Sequence, residues 1–347
     1  MPNRWSTKQK AVFFRGLSVL LNSGVHIVGA LECLAKQAET EQNRRTVDRM
    51  LHRVSTGFEL NRAMAAEGVF SDLEIGLVKV GVRSGSLHNI LTKLADALEE
   101  REGLRRKVTS ALVYPAFVLA LCALLLIFAP VLVFSDLLDL LAELNTDLPL
   151  ATRVYLAFSA LVTSPLFYLL LTAVVSSGIW GLRVLWRSDE SRCHAERAVL
   201  SLPGIGGALK AAVAAEVTGA LAVAYTAGLP LLQALKLSSE VSLSALLRQK
   251  MVDSIETLTS GETLSEALKE TGFFSPVLLL ILQAGEEVGR ISDSLDTMAT
   301  ECAQSTGYAL EMMQKLVEPF LLLFVGLVVG FIAIATLAPT LKMVEGL

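Results

Sequence analysis

Charged residues are absent from three long stretches of the chain, and this is the strongest pattern in its hydropathy profile. The uncharged windows are residues 108–135, 154–182 and 319–341. Each window exceeds the ~20 apolar residues that an α-helix needs to cross a bilayer core. Because irregular backbone facing lipid would leave its hydrogen bonds unmade, we predict three transmembrane helices and place the third at 317–341.

The polar segments between these windows have the periodicity of helices. Leu17, Leu20 and Leu21 recur at spacings of three and four before Gly24, and a second apolar periodicity starts at Ile27. The alternation typical of strands does not occur in these segments. We therefore predict an all-α integral membrane protein in which helical-bundle domains accompany the spans.

The sequence repeats itself at an offset of 204 residues. Residues 23–31 align without a gap on residues 227–235, and residues 56–71 align on residues 260–275. Chance rarely keeps one register over so many small and turn-forming residues, so the chain contains two copies of one helical unit. The residues that we predict to form structural turns are Gly24, Gly81, Gly85, Gly228, Gly285, Gly289, Pro115 and Pro319.

The spans and the repeat together predict the domain boundaries. In chain order they are repeat 1 at 1–107, a span at 108–135, a loop at 136–153, a span at 154–182, repeat 2 at 183–315, a span at 317–341 and a tail at 342–347. Basic residues cluster just before the first span and just after the second, whereas the loop between them holds four acids and a single arginine. The positive-inside rule therefore places both repeats and the N-terminus inside, and the loop and the C-terminus outside.

The formal net charge of −4 hides two oppositely charged halves. Residues 1–110 hold 17 Lys and Arg against 12 Asp and Glu, a net charge of +5, whereas residues 183–317 hold 11 against 16, a net charge of −5. Two interpretations remain open. The difference is either drift of two solvated surfaces, or it marks complementary patches that dock one repeat on the other, within a chain or between copies, or that face different partners.

No arrangement of residues in the sequence indicates an enzyme active site. The four cysteines form no CxxC pair, and the glycine-rich segment 201–210 lacks the spacing of a phosphate loop. An ion-coupled transporter would carry ionisable groups within its spans and repeat the spans themselves. We therefore expect no catalytic residue, metal or cofactor, and these observations count against both a small transporter and a membrane-anchored enzyme.

Two adjacent acids, Glu286 and Glu287, stand between Gly285 and Gly289. Repeat 1 keeps both glycines but has Val82 and Arg83 in place of the acids. A catalytic pair on only one copy of a duplicated unit would be unexpected. We predict a turn that exposes these charges, either to solvent or to a partner.

A further acid, Glu318, precedes Pro319 at the start of the third span. Near the positive end of a helix, an acid is stabilised without any partner. Alternatively, it receives a positive group from the transmembrane segment of another protein.

Several motifs resemble the inner-membrane platform family of type II secretion systems and type IV pilus assembly machines. They are the opening pattern FFRGLSVLLNSGVHIVGALECLA at 13–35, YPAFV at 114–118, EPFLLL at 318–323 and the G-E-x-x-G segment at 285–289. The resemblance covers nearly the entire chain. Repeat 2 departs from it with Gly219 at the position of Arg15, and repeat 1 departs from it with GVRSG at 81–85.

The resemblance implies a non-enzymatic platform in the bacterial inner membrane, with a periplasmic loop and C-terminus. Its implied partners are a cytoplasmic assembly ATPase, pilin or pseudopilin subunits, other inner-membrane assembly proteins and further copies of itself, and they include no nucleic acid. We favour a type IV pilus over type II secretion or DNA uptake because the chain is compact. The candidate partner contacts are Arg15, Arg83, Glu286, Glu287 and Glu318.

Overall fold

The computed structural model describes residues 5–133, 164, 172–173, 176–177, 189–201, 205–242 and 244–345. Within these residues the regular structure is helical, and no strand occurs. The predicted loop at 136–153 and most of the predicted span at 154–182 lie outside the described residues. The helices are α1 (Thr7–Asn22), α2 (Ile27–Lys36), α3 (Glu41–Ser55), α4 (Leu60–Ala65), α5 (Asp72–Ser84), α6 (Leu87–Val133), α7 (Asp189–Leu200), α8 (Ile205–Thr226), α9 (Leu231–Val241), α10 (Ala245–Thr259), α11 (Leu264–Thr271), α12 (Pro276–Val288) and α13 (Ile291–Glu345).

The duplication found in the sequence is also present in the structure. The helices that start at residues 27, 41, 60, 72 and 87 have counterparts that start at 231, 245, 264, 276 and 291, each 204 residues later. Glycines with positive φ at 24, 57, 68 and 85 recur at 228, 261, 272 and 289 with the same offset. Left-handed backbone favours glycine because a Cβ is strained there. The repeated turns therefore depend on glycines that both copies keep.

Local sequence determines where α5 and its counterpart α12 begin and end. The Ser71 hydroxyl accepts a hydrogen bond from the Glu74 N–H (3.3 Å), and the Glu74 carboxylate accepts one from the Ser71 N–H (2.8 Å), which is a capping box. Ser275 caps α12 in the same position, with Pro276 at the first helical residue. Both helices end where a glycine turns left-handed, at Gly85 and Gly289.

Four of the predicted structural turns lie instead inside helices. Gly81 and Gly285 are residues of α5 and α12, and Pro115 and Pro319 are residues of the long helices α6 and α13. The two glycines serve close packing: a Cβ on Gly81 would lie 3.0 Å from the Leu87 Cα, and a Cβ on Gly285 would overlap Ser294. The prolines only remove one backbone hydrogen bond each from a helix that continues past them.

The chain divides into two compact units. We call Met1–Lys107 with Arg192–Leu310 the helical body, and Val108–Ser191 with Glu311–Leu347 the membrane region. The helices α6 and α13 each contribute residues to both units.

Both repeats build one core in the helical body. Buried residues of repeat 1, such as Phe14 and Leu77, belong to the same apolar cluster as Leu221 and Leu235 of repeat 2. The helices α5 and α9 pack across the boundary between the repeats. Arg101 of the basic repeat also forms an ion pair with Glu216 of the acidic repeat. The two repeats therefore pack against each other within one chain, and an ion pair of opposite charges lies at their contact.

Two described helical segments are long and apolar enough to cross a membrane, Gly206–Thr226 in α8 and Ile291–Ile334 in α13, and α6 contains the shorter apolar segment Val113–Leu125. The segment in α8 is the counterpart of α1 and buries Val217 and Leu221 in the core, so we assign it to the helical body. The segment in α13 is mostly exposed, as expected for a helix that faces lipid. The count of three spans stays a prediction.

Candidate partner-binding sites

Glu286 lies in the last turn of α12, and its carboxylate caps the start of another helix. The two oxygens accept hydrogen bonds from the backbone N–H groups of Leu264 (2.6 Å) and Ser265 (3.1 Å), in the first turn of α11. These N–H groups have no partner within their own helix, and a carboxylate there also interacts favourably with the helix dipole. The half-buried acid thus ties α12 to α11 within repeat 2.

The described part of repeat 1 lacks this carboxylate cap. Val82 stands at the position of Glu286, and the N-cap residue of α4, Glu59, makes no side-chain hydrogen bond to that helix. The uncapped α4 has 6 residues, whereas its counterpart α11 has 8. The carboxylate cap is therefore present on the longer of the two equivalent helices and absent from the shorter one.

Glu287 and Arg83 occupy equivalent positions and are both exposed. Glu287 accepts a hydrogen bond from the Gln283 amide at 3.3 Å. Arg83 forms no ion pair with a carboxylate in the described part of the chain. Both side chains are therefore accessible to a partner, with opposite charges on the two repeats.

Arg15 binds two carboxylates of α6 at the surface of the helical body. Its Nε and Nη2 donate hydrogen bonds to Glu99 at 3.0 and 2.8 Å, and Nη2 also pairs with Asp96. The hydrogen bonds from Arg15 hold the pKa of Glu99 below its usual range. The residues at the three equivalent positions of repeat 2 are Gly219, Thr300 and Ala303. Because the cation and both acids are replaced together, the three groups act as one structural unit.

A cavity of about 400 Å³, open to the surface and lined by exposed polar side chains, lies between α6 and α13 within the membrane region. Its polar lining consists of Ser110, Tyr114, Glu311, Gln314, Lys315 and Glu318. Tyr114 and Glu318 are equivalent positions of the two repeats, as are Ser110 and Gln314. The cavity therefore lies between matching faces of the two helices.

The charges of this cavity favour a cationic ligand. Glu311 and Glu318 lie two helical turns apart on one face of α13, with Lys315 between them. Two carboxylates and one ammonium leave an excess of negative charge. The Tyr114 hydroxyl adds a group that both donates and accepts hydrogen bonds. A cationic or hydrogen-bonding group of a partner segment would find matching groups here.

The described residues contain no cluster of potential metal ligands. No group of three or more His, Cys, Asp or Glu side chains comes together among them in a way that could hold an ion. The cysteines at 122, 193 and 302 are buried, and Cys33 is exposed.

Sequence reasoning missed two acids that hold the helical body together. The Glu67 side chain is 2% exposed and binds Arg49 at 2.5 Å and Arg53 at 3.3 Å. Glu196 accepts hydrogen bonds from the Ser244 hydroxyl (2.7 Å) and from two backbone N–H groups at the start of α10. The partners of both acids are distant in sequence or belong to another helix, so the local sequence pattern does not predict these contacts.

A third missed group is the ion pair between Lys10 and Glu74 at 2.9 Å, with side chains 15% and 7% exposed. Repeat 2 has Ala214 and Leu278 at these positions, and both are buried. The alignment of the two repeats shows that both charged residues are replaced by apolar residues. This joint replacement is a signal from which the ion pair of Lys10 with Glu74 could have been predicted.

Comparison with known proteins agrees with the duplicated architecture. The sequence model of the family described as type II secretion system (T2SS), protein F, matches residues 13–134 and again residues 218–339. The type IV pilus assembly protein PilC of Thermus thermophilus is 27% identical over 338 residues, which cover 97% of this chain and 83% of that protein.

Other relatives carry names from both kinds of machine. The type II secretion system protein F of Aeromonas hydrophila is 27% identical over 340 residues, covering 97% of this chain and 87% of that protein. The type 4 fimbrial assembly protein PilC of Pseudomonas putida is 29% identical over 348 residues, covering 99% and 85%. With both repeats matched by the same family model, the chain belongs to the type II secretion system protein F family.

Proposed function

We propose that the chain is the inner-membrane platform of a type IV pilus assembly machine, where it couples a cytoplasmic assembly ATPase to the insertion of pilin subunits at the filament base. Family membership and relatives named for pilus assembly support an assembly role. The observation that carries the proposal is the cavity of the membrane region, which is lined by Tyr114 from α6 and by Glu318 from α13.

The proposed topology has three spans, at 108–135, 154–182 and 317–341. Both repeats face the cytoplasm, and the loop at 136–153 and the tail at 342–347 face the periplasm. The apolar and largely exposed segment of α13 supports the third span. Exposed apolar side chains on α6, such as Phe117, support the first.

The cavity is the proposed docking point for the membrane segment of a pilin. Ionisable groups at the start of a span are stabilised when a partner supplies the opposite charge or a hydrogen bond. Glu318 would receive a positive group at the head of the pilin segment, and Tyr114 would add a hydrogen bond.

The ATPase is proposed to bind the helical body. Arg83 and Glu287 are exposed charges on equivalent helices, and they offer contacts of opposite sign. The helices α6 and α13 are continuous from the body into the membrane region. A displacement of the body would therefore reach the pilin cavity along unbroken helix.

Deletion of the gene tests the proposal and its alternative, a platform of a type II secretion or DNA-uptake pseudopilus. We expect loss of surface pili with secretion intact. Loss of secretion or of DNA uptake with normal pili would assign the chain to the corresponding pseudopilus. Normal pili, secretion and DNA uptake would refute a platform role altogether.

A charge-neutral substitution tests the cavity itself. Glu318→Gln keeps the size of the side chain and removes its charge, so we expect assembled pili to be lost while the protein level stays unchanged. Glu301→Gln makes the same change on an exposed residue of α13 that does not line the cavity, and it should leave piliation normal. Equal piliation of the two variants would exclude Glu318 from pilin docking.

A further inference from the structure

The helix α12 carries an apolar stripe on the outside of the helical body. Val277, Leu280, Ala284 and Val288 recur at spacings of three and four, which places them on one helix face. The three larger side chains are 67%, 66% and 73% exposed, and Ala284 is exposed as well. A continuous apolar stripe of this kind marks a surface that another protein element covers.

The same face of α5 in repeat 1 is covered within the chain. Leu73, the counterpart of Val277, is 7% exposed, and Gly76 and Val80 are half-buried. The helix α9 of repeat 2 packs against α5, and a Cβ on Gly76 would lie 3.4 Å from the Leu237 Cδ1. The covered face of α5 thus shows what kind of element fits the open face of α12.

The element equivalent to α9 is α2 of repeat 1, and its matching position is also open. Cys33 stands where α9 has Leu237, and Cys33 is exposed. In the described part of the chain, therefore, α5 packs against α9, but the equivalent helices α12 and α2 do not pack against each other. The surfaces of α12 and α2 that would form this second contact are both exposed.

We propose that α12 of one copy packs on α2 of a second copy, in a contact equivalent to the one between α5 and α9 inside the chain. This inference concerns assembly of the chain with itself and does not depend on the proposed function. A contact between two different surfaces of identical chains is head-to-tail, so it leads to a ring or an open array instead of stopping at a twofold pair.

Charge supports a second copy as the occupant. The contact would join the acidic repeat, which has a net charge of −5 over residues 183–317, to the basic repeat, which has +5 over residues 1–110. Inside the chain α5 carries Arg83 and α9 carries Glu240, whereas α12 carries Glu287 and α2 carries Lys36 at the equivalent positions. Both signs are reversed, so each contact places a base on one helix and an acid on the other, and in the described residues Arg83 and Glu240 form no direct ion pair. Complementary surfaces of this kind favour specific association.

Cysteine cross-linking of the full-length protein in native membranes tests the contact. A cysteine is introduced by Leu280→Cys, at the position equivalent to Gly76, and the native Cys33 serves as its partner. Because the other three cysteines are buried, a short bismaleimide should join only these two sites. We expect cross-linked dimers and larger species, and we expect all of them to be lost when Cys33→Ser is added.

Two control variants calibrate the reaction. In the Cys33→Ser background, Gly76→Cys combined with Leu237→Cys reproduces the contact inside one chain, and it should form an internal cross-link without larger species. Val252→Cys places a cysteine on a residue of α10 that is 53% exposed, and it should not cross-link to Cys33.

Three results would overturn the contact itself. They are the absence of larger species from Leu280→Cys when the internal control reacts, persistence of those species after Cys33→Ser, or equal yields from Leu280→Cys and Val252→Cys. A dimer as the largest species would contradict the head-to-tail arrangement.

Discussion

Removal of the Glu286 carboxylate should loosen α11 selectively. Glu286→Ala leaves the first two N–H groups of this short helix without their acceptor. The N-cap residue Thr263 keeps its own hydrogen bond from the Glu266 N–H, so only the two bonds to the carboxylate are lost. A hydrogen bond to a charged group contributes about 1.5–3 kcal/mol. Because the carboxylate is only half-buried, we take a value of about 2 kcal/mol for the pair of bonds.

Hydrogen exchange measures this local change directly. A free-energy loss of about 2 kcal/mol corresponds to a roughly 30-fold larger opening constant, so amides in the segment 264–271 should exchange about 30-fold faster in the purified protein. Segments on α3 and α10, which do not contact the carboxylate, should exchange as before.

The neighbouring acid is the matched control for this experiment. Glu287→Ala removes an exposed carboxylate from the same turn of α12, and such surface changes stay within about 0.5 kcal/mol. If Glu286→Ala changes exchange at 264–271 no more than Glu287→Ala does, the cap contributes nothing and the acid is free to serve a partner.

Two further experiments test the packing of the helical body by thermal unfolding in detergent. Glu74→Leu alone should lower the stability by about 3–5 kcal/mol, because it leaves the Lys10 ammonium buried without its partner. It also removes the Glu74 half of the capping box of α5. Adding Lys10→Ala should recover the part of the loss that comes from the unpaired ammonium; equal losses in the single and double variants would contradict this. Gly285→Ala should destabilise by about 1–3 kcal/mol, because its Cβ would lie 2.6 Å from the Ser294 Cβ. Gly219→Ala, with no described atom within 4 Å of its new Cβ, should preserve or raise Tm, so a lower Tm for Gly219→Ala than for Gly285→Ala would refute the packing argument.

Features that depend on the local sequence pattern could be predicted from the sequence alone. The 204-residue repeat predicted two helical units, and the glycines at 24 and 228 do turn left-handed between helices. The uncharged windows identified the apolar segments of α6 and α13, although most of the second window lies outside the described residues. These features follow from periodicity and backbone sterics, which a single sequence displays.

Features that depend on distant partners were less accessible. Gly285 resembles a turn residue until the position of Ser294, on the following helix, is known. Glu286 caps a helix that starts 22 residues earlier in the chain. Sequence alone does not show this contact, so Glu286 and its neighbour Glu287 resemble two exposed acids. Arg15 was a candidate partner contact, but it binds Glu99, 84 residues away. Comparison of the two repeats gives the missing signal, because groups that act together are replaced together.

Site-specific photocross-linking in living cells tests the central claim most directly, namely that the cavity of the membrane region receives pilin. A photoreactive residue in place of Gln314 would lie in the cavity wall, whereas one in place of Phe320, which is 74% exposed on α13 and does not line the cavity, serves as the control. We predict a covalent adduct with a pilin subunit from position 314, abolished by Glu318→Gln, and none from position 320. Absence of a pilin adduct at position 314, or equal adducts at both positions, would contradict the account.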